Sequence, residues 1–99
     1  MNIFGKWESV QGEFLNGVEQ VMLNFEDGQV RVYEKELGDE EFRERGVAPY
    51  SFQEGEEKSE IYFNFFSVRK NEFTVYYDDE RHLVLKDKQQ ALIFERVRG

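Results

Sequence analysis

His82 is the only histidine in the sequence, and cysteine is absent. A serine, threonine or cysteine nucleophile needs a base beside it. His82 would therefore have to serve Ser9, Ser51, Ser59, Ser67 or Thr74. Carboxylate pairs are more plentiful: Glu40/Glu41, Glu56/Glu57 and Asp78/Asp79. Glycosidase chemistry needs two carboxylates in one cleft with unlike environments. These pairs fall in polar runs that read as loops, where a charge run is ordinarily a solvated face. Asp78-Asp79-Glu80 offers oxygen ligands to Ca²⁺ but lacks the alternating ligands and glycine turn of an EF-hand loop. Gly12 to Gly17 has no following Lys-Ser/Thr and so is no phosphate loop. Without cysteine there is neither a thiolate metal site nor a disulfide. The residues capable of chemistry therefore predict no enzyme, no metal and no cofactor.

Charge narrows the partners. The 99 residues hold 21 acids against 13 Lys plus Arg, for a net charge of −8. Nucleic-acid affinity rests on basic residues neutralising phosphates, so nucleic acid is excluded as the expected partner, and anionic membrane surfaces are disfavoured for the same reason. A basic protein partner is compatible with this charge. No run without a charged residue exceeds eight positions (61–68 is one), against the ~20 that a spanning helix needs. The start, Met1-Asn2-Ile3-Phe4-Gly5-Lys6, has no basic segment followed by a long apolar one, which predicts no signal peptide on this chain. The expectation is one water-soluble domain over 1–99, either cytoplasmic or the mature part of a secreted or periplasmic precursor. With 10 Phe, 5 Tyr and 1 Trp, a chain this short can bury enough ring surface to fold.

The elements that would position these residues are β-strands, because short alternating runs recur between polar turns every 8–12 residues or so. Residues 21–33 make the clearest hairpin. Asp27-Gly28 suits a two-residue type I′ turn, and a loop there sets Phe25 opposite Val30, Leu23 opposite Val32 and Asn24 opposite Arg31. A second two-residue loop at Lys88-Gln89 pairs Leu85 with Leu92 and Leu83 with Phe94. Its other face then holds Lys86/Ala91, Val84/Ile93 and His82/Glu95, so His82 reads as an ordinary cross-strand partner. Between 73–77 and that hairpin, burial of one face demands an odd loop or a bulge, with Phe73 opposite Leu85 and Val75 opposite Leu83. Asn16-Gly17 turns the chain into Val18, and a turn near Gly55 joins 50–54 to 58–66. The full reading is eight strands, roughly 5–14, 18–26, 29–36, 48–54, 58–67, 71–78, 81–87 and 90–97. In 39–45 an Asp N-cap, early acids, late arginines and Gly46 are helix start and stop signals in the right order. They predict a turn or two of helix, with an irregular acidic loop as the alternative.

Eight sequential antiparallel strands close into an up-and-down barrel, removing exposed edges. Such an interior is either filled or holds one small ligand. Phe25, Phe63, Phe65, Phe73 and Val75 are its candidate ligand-binding wall, with Phe94 also inward. Tyr33, Tyr62, Phe66 and Tyr76 fall on the outer face, where a contiguous patch would mark a partner or dimer surface.

These motifs resemble a known family. Gly5-Lys6-Trp7 is similar to the G-x-W that opens lipocalins and short bacterial lipocalin-like domains. Leu23 to Gly28 resembles the F-x-x-D-G turn of the bacterial domains. Leu83-Val84-Leu85-Lys86-Asp87 with Phe94-Glu95-Arg96-Val97 resembles their closing L-x-L-x-D and F-x-R-V. The resemblance implies a barrel closed at one end by Trp7, with Arg96 or Arg98 over its ring, and a small hydrophobic ligand inside. The chain departs from long lipocalins in lacking their length, disulfides and C-terminal helix. A narrower likeness is to staphostatins, barrel inhibitors of cysteine peptidases that share the G-x-W and end in a similar strand. Their inhibitory loop carries a glycine before the last strand. Here that loop is Asp87-Lys88-Gln89-Gln90, so the inhibitory residues do not carry over.

Two functions follow as expectations. One is a non-catalytic lipocalin-like carrier using the barrel interior. The other is a protein-interaction or inhibitor module, monomeric or homodimeric, using the acidic, ring-bearing exterior.

Overall fold

A computed structural model describes residues 2–78 and 81–98. Eight antiparallel strands form one closed barrel in sequence order: β1 Gly5–Gln11, β2 Val18–Phe25, β3 Gln29–Glu36, β4 Arg43–Gln53, β5 Ser59–Phe63, β6 Glu72–Asp78, β7 His82–Lys86 and β8 Ala91–Arg96. Pairing of β1 with β8, Trp7 opposite Arg96, closes the sheet. Alternate residues point inward, as the period of a strand requires. Val21, Leu23, Val30, Val32, Leu83, Leu85, Leu92 and Phe94 are fully buried.

Both hairpins have the register that their side-chain patterns predict. Phe25 faces Val30, Leu23 faces Val32 and Asn24 faces Arg31. Leu85 faces Leu92, Leu83 faces Phe94 and His82 faces Glu95. The first turn differs in its backbone. Gly28 has φ +79° while Asp27 keeps a negative φ, so Asp27-Gly28 is no type I′ turn. That conformation occurs instead at Asn16-Gly17, with φ +58° and +77°, where the Val18 N–H donates to the Leu15 carbonyl at 3.1 Å. Between β6 and β7 the connection is odd, as burial demands, but the pairing slides by two residues. Val75 faces Leu85 and Tyr77 faces Leu83, with Asp78 opposite His82. The same face stays inward, since a two-residue slip preserves it.

The expected helix at 39–45 does not form. Arg43 already belongs to β4, opposite Glu34. Arg43, Glu44 and Arg45, which read as charges at the end of a helix, have partners on β3 instead. Arg43 lies 3.2 Å from both Glu36 and Asp39, and Arg31 lies 2.9 Å from Glu44. Asp39 caps the turn by accepting the Glu36 N–H at 2.9 Å. β4 is therefore longer than its apolar run suggested. Strands β1 and β5 are shorter, ending at Gln11 and Phe63. Beyond them Phe14 and Phe65 leave the sheet and fold over the barrel end, their rings 6.4 Å apart.

Candidate functional site

The interior comes first because the candidate ligand wall lies there. Phe25, Phe63, Phe65, Phe73 and Val75 are all buried. Their rings meet one another across the interior. Phe63 stacks on Phe65 at 5.1 Å, Phe73 lies 6.2 Å from Phe63 and 6.1 Å from Phe65, and Phe25 lies 6.1 Å from Phe63. Ring centroids at these separations are in packing contact.

Each end of the barrel is also covered. At one end Trp7 is fully buried on β1, and its indole N–H donates to the Ile3 carbonyl at 2.8 Å. The Arg96 guanidinium lies 4.0 Å over the Trp7 ring. It also donates to the Phe4 and Asn2 carbonyls at 2.8 and 2.7 Å. One arginine thus pins the N-terminal segment across the barrel mouth, while Arg98 is exposed beyond β8. At the far end the connections 12–17 and 64–71 meet. The Leu15 N–H donates to the Ser67 carbonyl at 2.8 Å, and Gln90 exchanges two hydrogen bonds with the Glu13 backbone at 2.9 and 3.1 Å. Phe65 and Val68 are buried beneath this roof.

Two of the five candidate nucleophiles, Ser9 and Ser67, have structural partners. Ser9 Oγ accepts the Val21 N–H at 2.9 Å where β1 bulges, and Ser67 Oγ donates to Glu34 at 2.7 Å. His82 lies between Asp78 and Glu95 in the register, its Nε2 4.0 Å from the Glu95 carboxylate. Glu40, Glu41, Glu56 and Glu57 are exposed. The Asp78-Asp79-Glu80 run reaches beyond the described residues. Among the described residues no three acidic or histidine side chains converge as a metal site would need.

The charge-altering environments lie at the rim. Glu26 is held below the usual carboxylate range, chiefly by the 2.6 Å hydrogen bond from Gln29 and then by Arg31. Arg31 is pushed up by Glu44 and Glu26. Burial, with Asp27 nearby, raises the Tyr50 phenol, whose hydroxyl donates to the Glu26 carbonyl at 3.0 Å.

The outer face holds what sequence reasoning saw only as separate rings. Tyr62 on β5 and Tyr76 on β6 are 56% and 51% exposed. They share an open groove of about 660 Å³ with Glu60, Thr74 and Lys86. The volume lies within the range of ordinary ligand sites. Lys70 and Lys88 stand at its far-end edge with Glu72 and Asp87. Tyr33 and Phe66 do not join it. Tyr33 is half-buried on β3 opposite Met22 and Glu44, while Phe66 packs against Gly46 under Arg45. The alternation of β5 and β6 sets Tyr62 and Tyr76 on the outer face, as the sequence pattern predicts. The contribution of Lys70 and Lys88 required the register of the end loops.

The class of protein is thus an eight-stranded antiparallel up-and-down barrel, covered at both ends, with its accessible concavities on the outside. No family model matches the sequence, and no curated protein does. The chain is similar in structure to protein yxeF, a structural-genomics target solved by solution NMR. The TM-score is 0.67 at 14% identity, covering 97% of this chain and 72% of that one. The likeness is one of fold. Among the described residues no helix is long and apolar enough to cross a membrane.

Proposed function

We propose that this chain is a lipocalin-like, non-catalytic binding protein that works from the outside of its barrel, engaging a protein partner through the Tyr62–Tyr76 groove. The observation that carries this reading is the interior: rings in mutual contact under two covered ends leave the accessible concavities on the outside, the Tyr62–Tyr76 groove among them. Gly5-Lys6-Trp7 with Arg96 over the indole, in an up-and-down barrel, supports the lipocalin-like assignment. Two half-exposed tyrosines supply rigid ring surface with a polar tip, the residue type enriched at interface centres. The net charge of −8 speeds encounter with a basic partner and makes the rate fall as salt rises.

The test is a photo-crosslinking amino acid placed at 62 or 76, and at 47 on β4 as an exposed control, in cells that produce the protein. One defined adduct from 62 and 76 but not from 47 is expected. An adduct with a second copy makes the partner this same chain. Absence of a groove-specific adduct, together with one-to-one binding of a hydrophobic dye that fatty acids displace, would overturn the reading in favour of an interior carrier.

A further inference from the structure

Three of the described arginines lie beside carboxylates and three others meet at the Trp7 end. Arg31, Arg43 and Arg45 each lie within 3.8 Å of a carboxylate. Arg81, Arg96 and Arg98 converge at the Trp7 end on one hollow of about 280 Å³, which among the described residues is also lined by Glu95. The topology forces this convergence. His82 pairs with Glu95, so the next step of the ladder sets Arg81 beside Arg96, and the Arg96 N–H donates to the Arg81 carbonyl at 2.8 Å. The Val97 N–H donates to the Lys6 carbonyl at 2.9 Å, which ties down the backbone leading to Arg98. Like charges opposed across a ladder are unfavourable, and in a chain of 21 acids they are easily avoided. Among the described residues neither Arg81 nor Arg98 has a carboxylate within ion-pair distance, and Glu95 lies 4.0 Å from His82 Nε2.

We propose that this hollow binds a small phosphoryl oxyanion. Among the described residues its lining sets three guanidinium groups against one carboxylate, and planar N–H forks match phosphate oxygens in pairs. Its volume is below that of a drug-sized site, so it takes a phosphate group rather than a large anion. Arg96 is already fixed by the Asn2 and Phe4 carbonyls and by Trp7, which gives the recess a rigid floor. Arg81 and Arg98, both exposed, close on the ligand from either side. This site is independent of the Tyr62–Tyr76 groove.

The full chain is titrated at low ionic strength with inorganic phosphate and with glycerol 2-phosphate, following backbone amide shifts and the emission of Trp7, the one tryptophan. Sodium chloride at matched ionic strength is the control. Saturable shifts confined to residues 6–7, 81–82 and 95–98 are expected. The double variant Arg81→Gln/Arg98→Gln should weaken binding at least ten-fold, while Arg69→Gln at the far end should not. If the double variant does not fold, Arg98→Gln alone, outside the strands, must still weaken it. Tighter binding of the monoester than of inorganic phosphate identifies a larger phosphorylated ligand, whereas equal binding identifies free phosphate. Shifts that chloride reproduces, or that survive both substitutions, overturn the proposal.

Discussion

Tyr50 and Tyr77 show how one hydroxyl can stabilise a barrel and another only burden it. The Tyr50 hydroxyl donates to the Glu26 carbonyl and its ring meets Phe25 edge-on at 5.2 Å. Burial raises its pKa, so the folded state holds the proton that an unfolded tyrosine releases near pH ~10. This stabilisation is present in full below that pH and is lost as pH rises through the higher folded value. Thermal melts between pH 8 and 11.5 should therefore fall more steeply for the wild type than for Tyr50→Phe, and parallel curves would contradict the assignment. The Tyr77 hydroxyl is buried with no hydrogen-bond partner among the described residues, beside Trp7 at 6.5 Å. A desolvated, unpaired hydroxyl is unfavourable, so Tyr77→Phe should leave stability unchanged or raise it by about 1 kcal/mol, as urea denaturation will show. Neither role was legible in the sequence. The alternation of 73–77 sets Tyr77 on the face of Phe73 and Val75, but its contact with Trp7 and its unpaired hydroxyl are tertiary facts.

At the scale of elements, the sequence was most readable where turn and pattern agreed. The 21–33 and 83–94 pairings follow from apolar positions that can face one another in one register only. It was least readable where a local signal had two uses. Asp39, Glu44, Arg43 and Arg45 have the order of helix-end charges, yet their partners lie on β3 and in the turn before β4, a tertiary fact that no local rule contains. The roof was hidden for a related reason. Phe65 continues the alternation of β5 but leaves the sheet to pack on Phe14, Phe63 and Phe73. Truncating it tests whether the interior is filled. Phe65→Ala should cost about 3–5 kcal/mol and create a cavity open to a hydrophobic dye. Wild-type protein should not bind that dye. Dye binding by the wild type at the same affinity would show that the interior was open from the start.

For the whole molecule, closure is the decisive property. A barrel has no edge strand to protect, but its last seam joins β1 to β8, the most distant strands in the chain. Loop-closure entropy makes such a pairing late and costly in folding. Arg96 reinforces that seam from within, since it belongs to β8, lies opposite Trp7 of β1 and bonds the carbonyls of Asn2 and Phe4. The G-x-W and the closing arginine, legible as motifs near the two ends of the sequence, are thus two halves of one latch. Lysine can supply the charge but not the planar fork that stacks on an indole and reaches two carbonyls together. Arg96→Gln should therefore lower stability by about 2 kcal/mol, and Arg96→Lys should recover less than half of that. Because the seam closes the whole sheet, the loss should appear in one cooperative urea transition seen alike by Trp7 fluorescence and far-ultraviolet circular dichroism. If the two probes separated, with Trp7 released before the strands unfold, the latch would be a local cover and the barrel would hold without it.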